Sequence, residues 1–209
     1  MQRGKTMHSR ARILLYFMVA AIFLIVGITV RLPQLLEGSA PQGDGQVAIG
    51  GPFELVDHKG NTVTDKDFLG SYTLVYFGYT FCPDVCPTSL QTAATALEML
   101  PMRKSNKVVS LFITIDPERD TPEVMGEYIK HFHKSLIGLT GTQEQIKQAA
   151  KAYKIYYKKV VEEGKQEDEY LMDHSAFQYL MGPDGKYLTH FNHGITPEEM
   201  AKKLSEYIR

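Results

Sequence analysis

A run of seven residues without a charge, Thr73–Tyr79, leads three positions later into Cys82-Pro83-Asp84-Val85-Cys86-Pro87, and nothing else in the chain restricts the backbone so tightly. The run is β-branched and aromatic, as a strand covered on both faces is. Each cysteine precedes a proline, and proline disfavours the helical region for the residue before it. Both thiols are therefore expected on an extended or turn-like arch, not on successive turns of one helix. Pro87 suits the first position of a helix, where its missing N–H loses no bond, and Thr88–Leu100 reads as that helix. Cys86 then falls at the cap, beside unpaired N–H groups and the positive end of the dipole. That setting predicts a lowered pKa and thiolate character for Cys86.

The chain of 209 residues holds no other cysteine. A disulfide across so short a loop would add little stability, and the chain is long enough to bury a core without one. Reactive or metal-binding thiols are the better reading. The spacing is C-x3-C, not the C-x2-C of a disulfide exchanger.

Around this arch the elements alternate. Phe53–Val56 and Thr62–Thr64 flank His58-Lys59-Gly60-Asn61 as an opening hairpin. Val108–Ile115 is a second uncharged strand, and it ends at Asp116-Pro117-Glu118-Arg119-Asp120-Thr121-Pro122. Thr121 can cap a helix over Glu123–His133, with Pro122 at its first position. Ile137–Leu139 reads as a short strand, and Thr142 with Gln145 makes a capping box for a helix to Tyr153. Ile155–Val160 is a further strand, and Glu162–Glu169 is a polar excursion expected as an exposed loop or hairpin tip. Ala176–Met181 and Lys186–Phe191 bracket Gly182-Pro183-Asp184-Gly185, a hairpin-turn signal, and Thr196-Pro197-Glu198-Glu199 opens a last helix. The order predicts an α/β sheet with helices on both faces. It is the thioredoxin-like order, with an extra N-terminal β-hairpin and an inserted hairpin or loop.

The first residues differ in kind. Ile13–Val30 is an uncharged run of 18 residues, just long enough to span a bilayer as a helix, and it follows Arg3, Lys5, Arg10 and Arg12 with no acid among them. Basic residues stay on the cytoplasmic side, so the rest of the chain is expected outside. A cleaved signal peptide is the competing reading. Its apolar core is normally only about 7–15 residues, and Ser39-Ala40 is a weak cleavage candidate. The expected layout is a cytoplasmic basic segment 1–12, a single transmembrane helix 13–30, a Gly- and Pro-rich linker 31–50 and a folded domain 51–209. A bacterial inner membrane facing the periplasm is preferred to a mitochondrial inner membrane, which would present much the same pattern. The mild net charge of −1, with no basic cluster and no tryptophan, gives no reason to expect nucleic acid.

Two soft thiolates invite a soft metal, and a third donor would come from elsewhere in the chain. His131 and His133 fall at a helix end, where a charged imidazole suits the dipole, and His58 is a turn residue. His190 and His193 flank a strand end, and His8 falls on the cytoplasmic side. His174, in Asp173-His174-Ser175 just ahead of the strand Ala176–Met181, is modestly preferred. Asp173, Asp116 and Asp120 are candidate supporting or docking residues, although turn and cap chemistry is the simpler account of Asp116 and Asp120.

Phe77-Gly78-Tyr79-Thr80-Phe81-Cys82-Pro83-Asp84-Val85-Cys86-Pro87, the block Asp116–Pro122, Asp173-His174-Ser175 with Tyr179-Leu180, and Gly182-Pro183-Asp184-Gly185 together resemble the Sco/SenC family over about residues 47–209. The resemblance implies a membrane-tethered copper chaperone that helps assemble the binuclear copper site of cytochrome c oxidase subunit II. It places the metal ligands on Cys82, Cys86 and His174. Such a set suits Cu(I), accepts Cu(II) with a fourth ligand, and would also take zinc in vitro. The second function in view is a thiol-disulfide oxidoreductase that uses the Cys82/Cys86 pair to keep a copper-accepting partner reduced. A peroxidase on the same fold ranks last: Thr80 precedes the arch, but none of Arg103, Arg119 and Arg209 has an evident role in activating peroxide.

Overall fold

The computed structural model describes residues 48–209 apart from Glu162, Lys165, Glu167 and Asp168, together with Met18. The expected transmembrane helix 13–30 therefore lies, but for Met18, outside the described residues, as does most of the linker 31–50. Among the described residues no helix is long and apolar enough to cross a membrane.

Nine strands and five helices follow one another in the described residues: β1 Glu54–Asp57, β2 Thr62–Thr64, β3 Tyr72–Gly78, α1 Val85–Glu98, α2 Met102–Ser105, β4 Val108–Thr114, α3 Pro122–Ile129, β5 Leu136–Thr140, α4 Gln143–Ala152, β6 Tyr157–Val161, β7 Tyr170–His174, β8 Gln178–Met181, β9 Tyr187–Phe191 and α5 Pro197–Tyr207. A 3-10 turn over Asp65–Phe68 separates β2 from β3. Seven strands form one sheet in the order β2-β1-β5-β4-β3-β8-β9, while β6 and β7 pair only with each other. β3, β4 and β5 are parallel, and β8 and β1 join them antiparallel on either side.

The uncharged runs become the centre of the sheet because both of their faces are covered. Every residue of β3 is buried. Leu74 and Val108 pack with Ala93, Leu97 and Ala96 of α1 and with Met200 and Leu204 of α5. Val75, Phe77, Leu111 and Ile113 pack with Met125 and Ile129 of α3 and with Ile146 and Ala149 of α4. Burying such side chains fully is worth about 1.5–3 kcal/mol each, which outweighs the weak local preferences of the strands.

The expected caps hold. Thr121, Thr142 and Thr196 each accept a backbone N–H three residues on, and Thr142 and Gln145 close a capping box. The opening hairpin turns where expected, with Asp57 Oδ1 accepting the N–H groups of Lys59 and Asn61 at 2.9 and 2.8 Å. The Gly182–Gly185 turn closes through Gly182 N–H to Lys186 C=O at 2.8 Å, and Gly185 takes the positive φ of 75° that a side chain resists.

Three expectations are corrected. α1 starts at Val85 and not at Thr88, so Cys86 sits inside the first turn of the helix. Cys86 is helical against the steric bias that a following proline imposes, while Pro87 itself fits the first turn because its missing N–H would have no helical partner. α3 ends at Ile129, four residues before the expected end, so His133 is not at a helix terminus. Its Nδ1 accepts the Ser135 N–H at 3.1 Å, and burial lowers its pKa, so the imidazole is neutral. Third, residues 170–174, given no element from the sequence, form a strand, β7, which supplies the second strand of the expected inserted hairpin. Its register against β6 runs from Val161↔Tyr170 to Tyr157↔His174, and four residues of the expected tip, Glu162, Lys165, Glu167 and Asp168, lie outside the described residues.

Candidate metal centre

β3 and β4 run in parallel and end side by side, with Gly78 opposite Thr114. The loop that leaves β3 carries the cysteines, and the loop that leaves β4 carries Asp116 and Asp120. Ligands in open α/β sheets gather at such carboxyl ends. Asp120 is fully buried and ties the two loops together. It accepts the Thr80 N–H at 3.0 Å, the Thr80 hydroxyl, and the Thr114 hydroxyl at 2.6 Å. Turn and cap chemistry does not describe it: its carboxylate fixes the approach to Cys82. Burial raises its pKa above the usual carboxylate value, against the pull of those hydrogen bonds.

Cys86 points into the core, fully buried, in contact with the cluster that contains Phe77 and Phe112. Gly78 makes this possible. A Cβ there would lie 2.7 Å from Cys86 Sγ and 2.9 Å from the Phe112 ring. Its place at the end of an otherwise bulky strand was the one sequence signal that could have singled it out. Cys82, on the turn before α1, is partly exposed, and its Sγ accepts the Cys86 N–H at 3.4 Å.

His174 ends β7 and brings Nε2 to 3.5 Å from Cys86 Sγ. Its Nδ1 lies 3.0 Å from the Ser175 carbonyl oxygen, which can only accept. Nδ1 therefore carries a proton, and this bond turns Nε2 towards the sulfurs. The rings of Tyr76 and Tyr79 meet the imidazole edge-on, with centroids 6.3 and 6.0 Å away. The donor atoms of Cys82, Cys86 and His174 all lie within 4.8 Å of one another, and they are the only such group of three among the described residues.

The expected ionisation is reversed. The Cys82 thiol is pulled well below the ordinary thiol range, chiefly because it accepts a hydrogen bond from Cys86, with His174 and backbone N–H groups adding to this. Cys86 is pushed up by its bond to Cys82 and by burial. Only one negative charge is comfortable here, and it settles on the sulfur nearer solvent that receives the N–H groups of the helix start.

Of the other candidates, Asp173 is exposed beside the site, and His193 lines the same groove, with Nδ1 3.1 Å from Ser89 Oγ. His58, His131, His133 and His190 are not brought to the donors. Thr80 is committed to Asp120, and Arg119 to Asp116 and Tyr170. A groove of about 560 Å³, lined by Tyr79, Cys82, Leu171, Met172, His174 and His193 among others, opens on one side of the site. Two donors face it while Cys86 lies behind them.

A thioredoxin-like domain with a Cys-Cys-His soft-metal site at the carboxyl ends of its parallel strands defines a class of metal-handling proteins, and copper is a metal that this donor set can hold. The comparisons give the family. The SCO1/SenC family model matches residues 41–209, and the chain belongs to that family. It is 42% identical over 188 residues to the SCO2-like protein of Rickettsia felis, covering 89% of each chain. It is 41% identical to Protein sco1 of Schizosaccharomyces pombe over 78% of its own length but spans only 62% of that protein. Among solved structures, ScoI of Bradyrhizobium japonicum with copper bound matches 77% of this chain and 100% of its own, at 45% identity and a TM-score of 0.69.

Proposed function

We propose that this protein is a copper chaperone, in which Cys82, Cys86 and His174 hold copper as Cu(I) or Cu(II) and release it to the binuclear copper site of cytochrome c oxidase subunit II. The meeting of the three donors within 4.8 Å carries this reading. Two thiolates and an imidazole match the softness of Cu(I), and an oxygen ligand or water would complete a Cu(II) site. The copper-bound relative at 45% identity supports the same cargo. Family membership supports the acceptor.

The groove supports transfer over storage. Cys82 and His174 are reachable from it, so a partner's thiolate can displace them one at a time while Cys86 still holds the metal. The layout of basic segment 1–12, membrane anchor 13–30 and linker 31–50 is part of the proposal, with the domain on the outer side of a bacterial inner membrane.

One observation favours a second activity. The ionised Cys82 next to the protonated Cys86 is the poise of a thiol reductant, so reduction of a partner's disulfide is the alternative function. The two exclude one another at any moment, because a Cys82–Cys86 disulfide cannot ligate the metal.

Copper titration of the reduced full-length protein, beside His174→Ala, tests the reading, with X-ray absorption reporting the donors. One equivalent held by two sulfurs and a nitrogen, the nitrogen lost in a variant that still folds, is the expected result. Weak binding indifferent to His174, with a disulfide that cycles readily, would leave the reductase.

A further inference from the structure

The hairpin that carries His174 has no strand partner in the seven-stranded sheet. A two-stranded hairpin alone is marginal in water, so other contacts must fix His174 against the cysteine loop. Met172 and Tyr157 pack on the main core, and a further set of contacts meets at Arg119. Its Nε donates to Asp116, whose side chain is 3% exposed. Its Nη1 donates to the carbonyl of Tyr170, the first residue of β7, at 3.1 Å. The Tyr170 hydroxyl donates to the other oxygen of Asp116 at 2.7 Å. The guanidinium carbon lies 3.6 Å from the ring centroid of Tyr170 and 4.6 Å from that of Phe81, which precedes Cys82. Lys159 of β6 places its ammonium 3.7 Å from the Tyr170 ring. Arg119 Nη2 is buried with no hydrogen-bond partner among the described residues, a cost that the rest of the arrangement has to offset.

We propose that Arg119 and Tyr170 are positioning residues for the copper site, holding the start of β7 against the cysteine loop so that His174 Nε2 stays within reach of both sulfurs. The inference rests on the copper reading above. Neither residue touches a donor atom. Arg119 acts on one side through Phe81 and the adjoining Cys82, and on the other through the backbone of Tyr170. A displacement there is carried along the extended strand to His174. Burial pushes the Tyr170 phenol upward, which keeps it a hydrogen-bond donor to Asp116.

The test compares the full-length parent with Arg119→Met, Arg119→Lys and Tyr170→Phe. Copper affinity is read by chelator competition, donors by X-ray absorption, and folding by circular dichroism. Arg119→Met and Tyr170→Phe are expected to fold and to bind copper about 10–100-fold more weakly, as loss of an outer partner of a metal ligand does, losing the nitrogen while keeping both sulfurs. Arg119→Lys keeps the charge without the fork and should recover only part of the affinity. Unchanged affinity with an intact two-sulfur, one-nitrogen set in both variants would overturn the proposal. So would loss of sulfur and nitrogen together, which assigns the pair to general stability. Should Arg119→Met not fold, Tyr170→Phe decides, since it removes one oxygen and keeps the ring. A parent that binds no copper through nitrogen sinks the copper reading itself, whereas unchanged variants beside a copper-binding parent sink only the positioning role.

Discussion

At Gly78 the space for one methyl group decides where a sulfur sits. Replacing it with alanine puts a carbon 2.7 Å from Cys86 Sγ and 2.9 Å from the Phe112 ring, and both neighbours are fully buried. Overpacking of this kind costs about 1–3 kcal/mol. Gly78→Ala is expected to lower the melting temperature and, because Cys86 must shift, to weaken copper binding in the same variant. Parental affinity in a destabilised Gly78→Ala protein would show that the sulfur's place is not set by this contact. His174 shows the same dependence on a neighbour. Its usefulness as a donor comes from the Ser175 carbonyl that claims Nδ1, not from the histidine alone.

Among the elements, α4 lies on the sheet face away from α5 and supplies none of the copper donors. Its start rests on Thr142, whose hydroxyl accepts the Gln145 N–H at 3.2 Å while Gln145 Oε1 accepts the Thr142 N–H at 2.9 Å. Thr142→Ala should cost about 1 kcal/mol in denaturant unfolding and leave copper affinity unchanged. A change in affinity would mean that the helix reports to the site through the sheet. α1 behaves differently, because its first turn is part of the site. Its opening N–H groups, left without helical partners, face the Cys82 sulfur, so the backbone that begins the helix also holds the thiolate.

On the scale of the molecule, Asp120 joins three parallel strands. Its side chain holds the end of β4 and the loop after β3, and its carbonyl accepts the Thr140 hydroxyl at the end of β5 at 2.7 Å. Asp120→Asn keeps the size but presents donors to groups that donate, for a loss of about 1–3 kcal/mol. The loss should depend on pH. Burial raises the Asp120 pKa in the folded state, so the native protein holds this proton more tightly than the unfolded chain does. In the parent the neutral carboxyl carries no charge penalty in acid, and a penalty grows as pH rises through the folded value. Asparagine carries no such penalty. The deficit of Asp120→Asn relative to the parent should therefore be largest in acid and shrink towards neutral pH in parallel unfolding curves. A deficit that grows with pH would show that Asp120 is held ionised by its hydrogen bonds.

The sequence by itself determined the sheet centre, the caps, the two hairpin turns and the loop that brings the cysteines together, because these follow from burial patterns and from hydrogen bonds between residues a few positions apart. The resemblance carried by those short blocks also pointed to His174. Only the tertiary structure decided the rest. β7 escaped notice because its one partner, β6, is largely exposed and apolar Leu171 lies on its outer side between half-buried or buried neighbours, which blurs the alternation expected of a strand. Which cysteine is ionised turned on which sulfur lies nearer solvent and accepts the bonds from Cys86 and the helix start, and that start lies three residues earlier than expected. Arg119 had no evident role in the sequence because its partners, Phe81, Asp116 and Tyr170, are spread along the chain. The same holds for the site itself: Cys86 and His174 are 88 residues apart, and strand register, core packing and the contacts that hold β7 against the cysteine loop together set their 3.5 Å separation.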